Sequence, residues 1–202
     1  VPRLAAAGYA VTVLSRHRDR HRELWPLPGV EVRNVNVHDG AALERNLRGA
    51  VAAINLVGIL NESGRKGAGF NRAHTELTRT LLAVMGRAGV SRLLQMSALR
   101  AGEGRSHYLR TRGEAEALVK ASGLAWTLFR PSVIFGEGDG LYCRFAGLLK
   151  LMPVLPLARA RTRFAPVYVG DVAAAFLRAL DDDATAGQTY ELGGPRVMSL
   201  SE

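Results

Sequence analysis

Short apolar, β-branched runs alternate with longer segments of helical periodicity along most of the chain, and this rhythm constrains the fold more than any other feature. The runs fall at residues 10–14, 30–35, 51–56, 92–97, 125–130, 165–169 and 189–192. Val51-Ala52-Ala53-Ile54-Asn55-Leu56 is nearly continuous in apolar character, as a strand covered by helices on both faces must be. Between the runs, Phe70, Ala73, Leu77, Leu81, Val84 and Ala88 have the spacing of one helical face, with Gly89 as a stop. A second helix is expected over 107–122, closed by Gly123, and a third over 171–180 with Asp171 as its cap. Together these predict an α/β fold built on a doubly wound parallel sheet.

The 202 residues are 48% hydrophobic and 22% charged, which suits one globular domain. No apolar run approaches the roughly 18–20 residues of a membrane-spanning helix, and the opening residues lack a leader pattern, so the chain reads as soluble. A single cysteine, Cys143, excludes an internal disulfide framework and a cysteine-based zinc cage, and a reducing cytoplasm is expected. The histidines have no metal-ligand spacing, so no metal site is expected. Lys and Arg number 27 against 18 acids, a net charge of +9. That balance suits nucleic acid, anionic lipid or a phosphorylated cofactor.

Both ends read as cut. Val1-Pro2-Arg3-Leu4-Ala5-Ala6-Ala7-Gly8 looks like the last turns of a helix. A βαβ unit would place a strand and turn of roughly 20 residues ahead of it. Ser199-Leu200-Ser201-Glu202 has capping-box spacing and predicts a helix start.

Open parallel sheets bind ligands at the carboxyl ends of their strands, and the candidate residues collect there. The first run is followed by Ser15-Arg16-His17-Arg18-Asp19-Arg20-His21-Arg22. At this strand end of a dinucleotide-binding sheet an acid favours a free ribose 2′-hydroxyl, whereas arginine accommodates a 2′-phosphate in its planar fork. Arg16 holds that place, although a solvated basic helix start fits the segment equally well. No aromatic residue interleaves with these charges, so nucleic acid is not an expected partner. Asn36 and Val37 could read an adenine edge while Asp39 caps the next helix; a plain cap explains them as simply. Gly58, closing Asn55-Leu56-Val57-Gly58, would admit a ligand against the backbone or serve only a tight turn.

A second group lies downstream. Ser97 ends Gln95-Met96-Ser97-Ala98, Tyr108 opens a helix, and Arg112 follows one turn on, on the same face. A cation fixed beside a tyrosine favours the phenolate and suits acid–base work, and a nearby serine hydroxyl would steady a substrate oxygen. Singly, these residues would read as a core tyrosine and a surface arginine; the trio in this order is more specific. Arg130-Pro131-Ser132-Val133-Ile134-Phe135-Gly136 then forms a bend at another strand end. Cys143 has no histidine nearby in sequence and reads as a structural or incidental thiol.

On these residues the chain resembles the extended and atypical short-chain dehydrogenase/reductases of the NAD-dependent epimerase/dehydratase group. Within it, the chain is similar to bacterial relatives of the NAD(P)H-binding accessory subunit of respiratory complex I. The segments carrying the resemblance are Val13-Leu14-Ser15-Arg16, Asn55-Leu56-Val57-Gly58-Ile59-Leu60, Leu94-Gln95-Met96-Ser97-Ala98-Leu99, Tyr108-Leu109-Arg110-Thr111-Arg112-Gly113-Glu114-Ala115-Glu116, the arginine-proline bend, and Pro166-Val167-Tyr168-Val169-Gly170-Asp171-Val172-Ala173. The resemblance implies a Rossmann-like doubly wound sheet with a small C-terminal substrate lobe, here without the family's first strand and glycine-rich loop, which would precede Val1. It implies one NAD(P)-binding domain fragment over 1–202, with the Rossmann core at 1–135 and mainly substrate-lobe and closing elements at 136–202.

The same resemblance carries Ser15 and Arg16 onto the 2′-phosphate end, Asn36 and Val37 onto the adenine site, and Asn55, Leu56, Val57, Gly58 and Met96 onto the cofactor lining. Pro131, Ser132 and Val133 fall on the nicotinamide-side turn. Ser97 and Tyr108 fall on the catalytic serine and tyrosine, and Arg112 stands where the family has lysine. Arginine keeps the charge but cannot relay a proton through a neutral amine.

Two functions follow as expectations. One is an NADP(H)-dependent oxidoreductase or epimerase-type enzyme acting on a hydroxyl or carbonyl of a small molecule, with Arg16 favouring NADP(H) over NAD(H). The other is a catalytically weak NADPH-binding accessory or assembly protein of the respiratory chain or quinone metabolism, peripheral at the inner membrane surface, where positive charge meets anionic lipid. Residues 141–163 read as a hydrophobic ligand or partner surface, or simply as lobe core. Without the phosphate loop, this segment alone is expected to bind cofactor poorly and to be marginally stable.

Overall fold

Leu93 and Leu94 are neighbours in sequence, both fully buried, and they belong to different cores on opposite faces of one strand. This is the physical meaning of the unbroken apolar runs. The computed structural model describes residues 1–62, 64, 66–136 and 162–199.

The chain begins with helix α1 (Pro2–Ala6), strand β1 (Val11–Ser15), tight 3-10 turns over Arg18–Leu24, β2 (Val30–Asn34), α2 (Gly40–Leu47) and β3 (Ala52–Asn55). Helix α3 (Ala68–Phe70) then runs through a more widely wound segment, Asn71–Glu76, into α4 (Leu77–Ala88), followed by β4 (Arg92–Met96), α5 (His107–Lys120) and β5 (Ala125–Pro131). The remainder comprises β6 (Ile134–Phe135), β7 (Arg163–Phe164), β8 (Val167–Tyr168), α6 (Val169–Asp181), a turn at Asp183–Thr185, β9 (Gln188–Leu192) and β10 (Met198–Ser199).

The parallel strands form two ladders, β1 with β2, and β3-β4-β5-β9. Among the described residues, β1 and β3 do not pair with each other. Helices α2, α4 and α5 cover one face: Leu43, Leu47, Leu81, Val84, Met85 and Val119 close over Ala53, Leu93 and Leu128. Helix α6 covers the other through Val172, Phe176 and Ala179 against Leu94 and Phe129, the two phenyl rings 4.2 Å apart. Two-sided burial of this kind makes the fold doubly wound, as expected.

All seven expected strands form, with ends shifted by a residue or two. Asp39 caps α2, accepting the Ala41 and Ala42 N–H groups at 3.0 and 3.1 Å. Gly89, at φ +73°, ends α4. Asp171 is not the cap of its helix: β8 leads directly into α6, Tyr168 takes the cap position, and Asp171 sits in the first turn. Ser199 lies in β10 rather than at a helix start. The two-residue strands β6, β7 and β10 were not anticipated. Cys143 and residues 141–161 of the expected lobe lie outside the described residues.

Candidate functional site

Strands β3, β4 and β5 end side by side because their ladder is parallel, with Asn55 opposite Gln95 and Met96 opposite Phe129. Ser106 starts α5 next to these ends by accepting the Leu109 N–H at 3.1 Å. That start sets Tyr108 and Arg112 one turn apart.

Arg112 is only 6% exposed and, among the described residues, pairs with no carboxylate. Its Nη1 donates to the Met96 carbonyl at 3.0 Å and, more weakly, to that of Val57 at 3.4 Å. Its Nε is buried without a partner. The guanidinium carbon stands 5.6 Å from the centre of the Tyr108 ring, within cation–π range. Gly58 makes room for it, because a Cβ there would overlap Nη2 and lie 3.0 Å from the guanidinium carbon.

The Tyr108 ring also makes T-shaped contacts with two aromatic rings, His74 at 5.4 Å and Phe70 at 6.0 Å between centroids. His74 is 1% exposed. Its Nε2 lies 3.3 Å from the Ile59 amide nitrogen and its Nδ1 2.9 Å from Thr111 Oγ1. The Ile59 N–H can only donate, so Nε2 is the acceptor and the ring proton sits on Nδ1. Thr111 Oγ1 accepts that proton and donates its own to the His107 carbonyl at 2.8 Å. Burial first, and the Arg112 charge second, push the His74 pKa down to about 4.

Ser97 has another engagement. Its hydroxyl donates to Glu116 Oε1 at 2.6 Å, and Arg130 grips the same carboxylate through Nε at 2.9 Å and Nη2 at 2.6 Å. Glu116 is 3% exposed. The sequence reading gave this hydroxyl to a substrate oxygen; in the fold its proton is committed to Glu116.

Asn55 is likewise buried, donating to Gln95 Oε1 at 2.9 Å and accepting the Val57 N–H at 3.1 Å, so it shapes the loop rather than facing solvent. Leu56 and Val57 are exposed beside it. At β5, Pro131 is buried, Ser132 N–H donates to the Leu192 carbonyl at 2.8 Å, and the Val133 carbonyl accepts the Val167 N–H at 2.9 Å. At the tips of β1 and β2, Ser15 Oγ accepts the His17 N–H at 3.1 Å, while Arg16 and Asn36 are exposed and Val37 is half-buried. Burial, then the charges of Arg72 and Arg16, lower the His38 pKa, so three basic side chains share this end of the edge.

Arg72 and His74 were not singled out from sequence, and Glu116 figured only as part of the tyrosine segment that carries the resemblance, with no role given to it. His74 did leave a signal: a polar side chain beside Ala73 within an apolar helical stripe. Arg72, an exposed helix charge, left none.

A parallel sheet sandwiched between helices, with loops, a tyrosine and a buried cation at its strand tips, defines a Rossmann-like domain of the nucleotide-binding kind. The chain belongs to the NAD(P)H-binding family, whose profile matches residues 1–183. It is 33% identical over 210 residues to NADH dehydrogenase (ubiquinone) 1 alpha subcomplex subunit 9, mitochondrial, of Arabidopsis thaliana, covering 100% of this chain and 52% of that protein. It is 32% identical over 172 residues to ceramide reductase of Caulobacter vibrioides, covering 85% of this chain and 53% of that one. The chain thus spans about half the length of these relatives. In fold it is similar to a dTDP-glucose 4,6-dehydratase from Streptomyces venezuelae with NAD bound, at TM-score 0.81, 20% identity, and coverage of 98% and 72%. The expected resemblance is borne out in the NAD(P)H-binding family, in the likeness to a complex I subunit, and in a fold shared with an NAD-bound dehydratase.

A nicotinamide nucleotide fits the residues present. Arg112 keeps donors beyond its two carbonyl contacts, next to a glycine with no Cβ and exposed Leu56 and Val57. Ribose hydroxyls and an apolar ring face would answer those groups.

Proposed function

We propose that this chain is the NADP(H)-holding part of a respiratory-chain or quinone-linked accessory protein, in which the nucleotide is retained more than it is turned over. The observation that carries this reading is Arg112, a buried guanidinium pinned on the Met96 and Val57 carbonyls beside Tyr108. It supplies positive charge to the site but does not release a proton at neutral pH. The Ser97 hydroxyl is spent on Glu116, which removes a second donor from the substrate side. Arg16, with Arg72 near it, supports a phosphorylated adenosine end. The Arabidopsis relative, named as an NADH dehydrogenase subunit, supports the class of partner. No helix among the described residues is long and apolar enough to cross a membrane. The +9 charge suits a peripheral place on anionic lipid.

When bound, the nicotinamide supplies hydride chemistry. The chain's own part is to seat the ribose at Arg112, keep the loop at Gly58 close, and hold the Tyr108 hydroxyl at the strand tips. A second reading is favoured by Tyr108 itself, whose ring is gripped by His74, Phe70 and Arg112. In it, Tyr108 exchanges a proton with a hydroxyl or carbonyl of a hydrophobic small molecule, and the Caulobacter relative, named as a ceramide reductase, supports that class.

The test is calorimetric NADPH and NADH binding by the full-length protein, with turnover assays on quinones and long-chain ketones. NADPH binding without turnover, unchanged in Tyr108→Phe, is the expected result. Turnover that collapses on that substitution would overturn the accessory reading in favour of the reductase. Binding of neither nucleotide would sink both.

A further inference from the structure

The hydrogen bonds of His74 join two parts of the site, which Arg112 links a second time, from α5 to the Val57 carbonyl. One is the loop after β3, entered through Val57 and Gly58 and held at Ile59 N–H. The other is the first turn of α5, held at Thr111 Oγ1, whose own proton returns to the His107 carbonyl. The ring also packs its edge against Tyr108 at 5.4 Å. His74 reaches both because it lies in the widely wound segment Asn71–Glu76, between the loop and α5. Wide turns of this sort inside helices are frequent at functional sites.

We propose that His74 is a positioning residue of the nucleotide site, a neutral two-ended strut that holds the Gly58 loop in its binding conformation against the Tyr108 turn. The proposal deepens the nucleotide-binding reading and rests on it. Each end of the imidazole has a distinct job. Nε2 accepts from the loop, and Nδ1–H donates to the helix. Both ends are satisfied in a site 1% exposed, so neither is free to drift to water. A protonated ring would present a donor to the Ile59 N–H and break the strut at its loop end. The surroundings resist that state: the cation facing the ring is Arg112, and its other close neighbours are Phe70 and Tyr108. Loss of the loop bond would leave the loop in its binding conformation only part of the time. Apparent nucleotide affinity then falls in proportion to that fraction.

Two isosteric half-replacements separate the ends. In His74→Asn the amide reaches about as far as Nδ1, keeping a donor for Thr111 and giving up Ile59. In His74→Gln the carbonyl oxygen reaches toward Nε2, keeping an acceptor for Ile59 and giving up Thr111. With full-length protein, two quantities are read: NADPH affinity by fluorescence titration, and hydrogen exchange at the Ile59 amide without nucleotide. The expected result is that His74→Asn weakens NADPH by about tenfold and speeds Ile59 exchange by a similar factor. His74→Gln should do markedly less of both, even if the two variants lose equal thermal stability. Equal losses of affinity in both, or a larger loss in His74→Gln, would overturn the strut, since a merely structural histidine predicts no such asymmetry. So would Ile59 exchange that stays slow in His74→Asn. Wild-type protein that binds no NADPH while the exchange asymmetry holds would refute the nucleotide reading and leave the mechanical link standing.

Discussion

Gly58 and Arg112 occupy one another's space: the guanidinium lies where a side chain at position 58 would begin. Gly58→Ala should therefore push Arg112 off the Val57 and Met96 carbonyls. The atoms displaced are the far end of a long side chain rather than backbone, so the fold survives at a cost of about 1–3 kcal/mol, while NADPH binding suffers more than stability. Trimming the guanidinium in a Gly58→Ala, Arg112→Lys double variant should recover part of both losses. Additive losses in a double-mutant cycle, read by urea unfolding and NADPH titration, would contradict the contact.

Ser97 gives a contrasting case. Its hydroxyl serves Glu116, a carboxylate 3% exposed that also carries Arg130. Ser97→Ala should cost about 1 kcal/mol and leave NADPH affinity within about twofold, which is within ~0.4 kcal/mol. Glu116→Ala, which leaves Arg130 with the more distant Glu191 carboxylate at 3.8 Å and frees the Ser97 hydroxyl, should cost more, about 1–3 kcal/mol. A Ser97→Ala protein of unaltered stability that loses turnover by orders of magnitude would return the hydroxyl to a substrate.

The sheet was legible in the sequence because burial on both faces forces continuous apolar runs, as at Leu93 and Leu94. Helix ends were legible where one residue decides them, as Asp39 and Gly89 do. Asp171 was misread because cap chemistry is local, and the β8 connection that hands the cap to Tyr168 is not. Strands of two residues, such as β6, are too short to carry a period. Tyr108 and Arg112 were placed together by helical spacing alone. The partner of Ser97 depends on Glu116 and Arg130, which reach it from two other elements, so spacing along the chain was silent about it. His74 stood out only as a polar side chain beside Ala73, and its partners were not legible because the wide turn alters the helical phase that a regular periodicity assumes.

The buried histidine predicts a pH dependence. Its folded pKa of about 4 lies below the ordinary 6.5, so between those values the unfolded chain takes up the extra proton. The stability this contributes is complete above pH 6.5, declines as pH falls, and is gone below 4, on the order of 3 kcal/mol in all. His74→Gln does not titrate there. The stability of wild type minus that of the variant, measured by urea unfolding, should shrink as pH is lowered through this window. A difference that stays flat would mean that His74 titrates normally in the fold.

Choice between the two nicotinamide nucleotides falls to the other end of the edge. Arg16 is exposed at the tip of β1, and its charge, with that of Arg72, is felt by His38. If Arg16 holds a 2′-phosphate, Arg16→Asp removes a charge-assisted hydrogen bond and sets a carboxylate against the dianion. NADPH affinity should fall by at least about tenfold, near 1.4 kcal/mol. NADH, which has a hydroxyl at that position, should lose little and could gain from the new acceptor. Arg72→Ala should produce a smaller loss of the same selectivity and raise the His38 pKa by removing a neighbouring charge, which NMR titration would read directly. Equal losses for both nucleotides in Arg16→Asp, from parallel calorimetric titrations of full-length protein, would remove Arg16 from the phosphate.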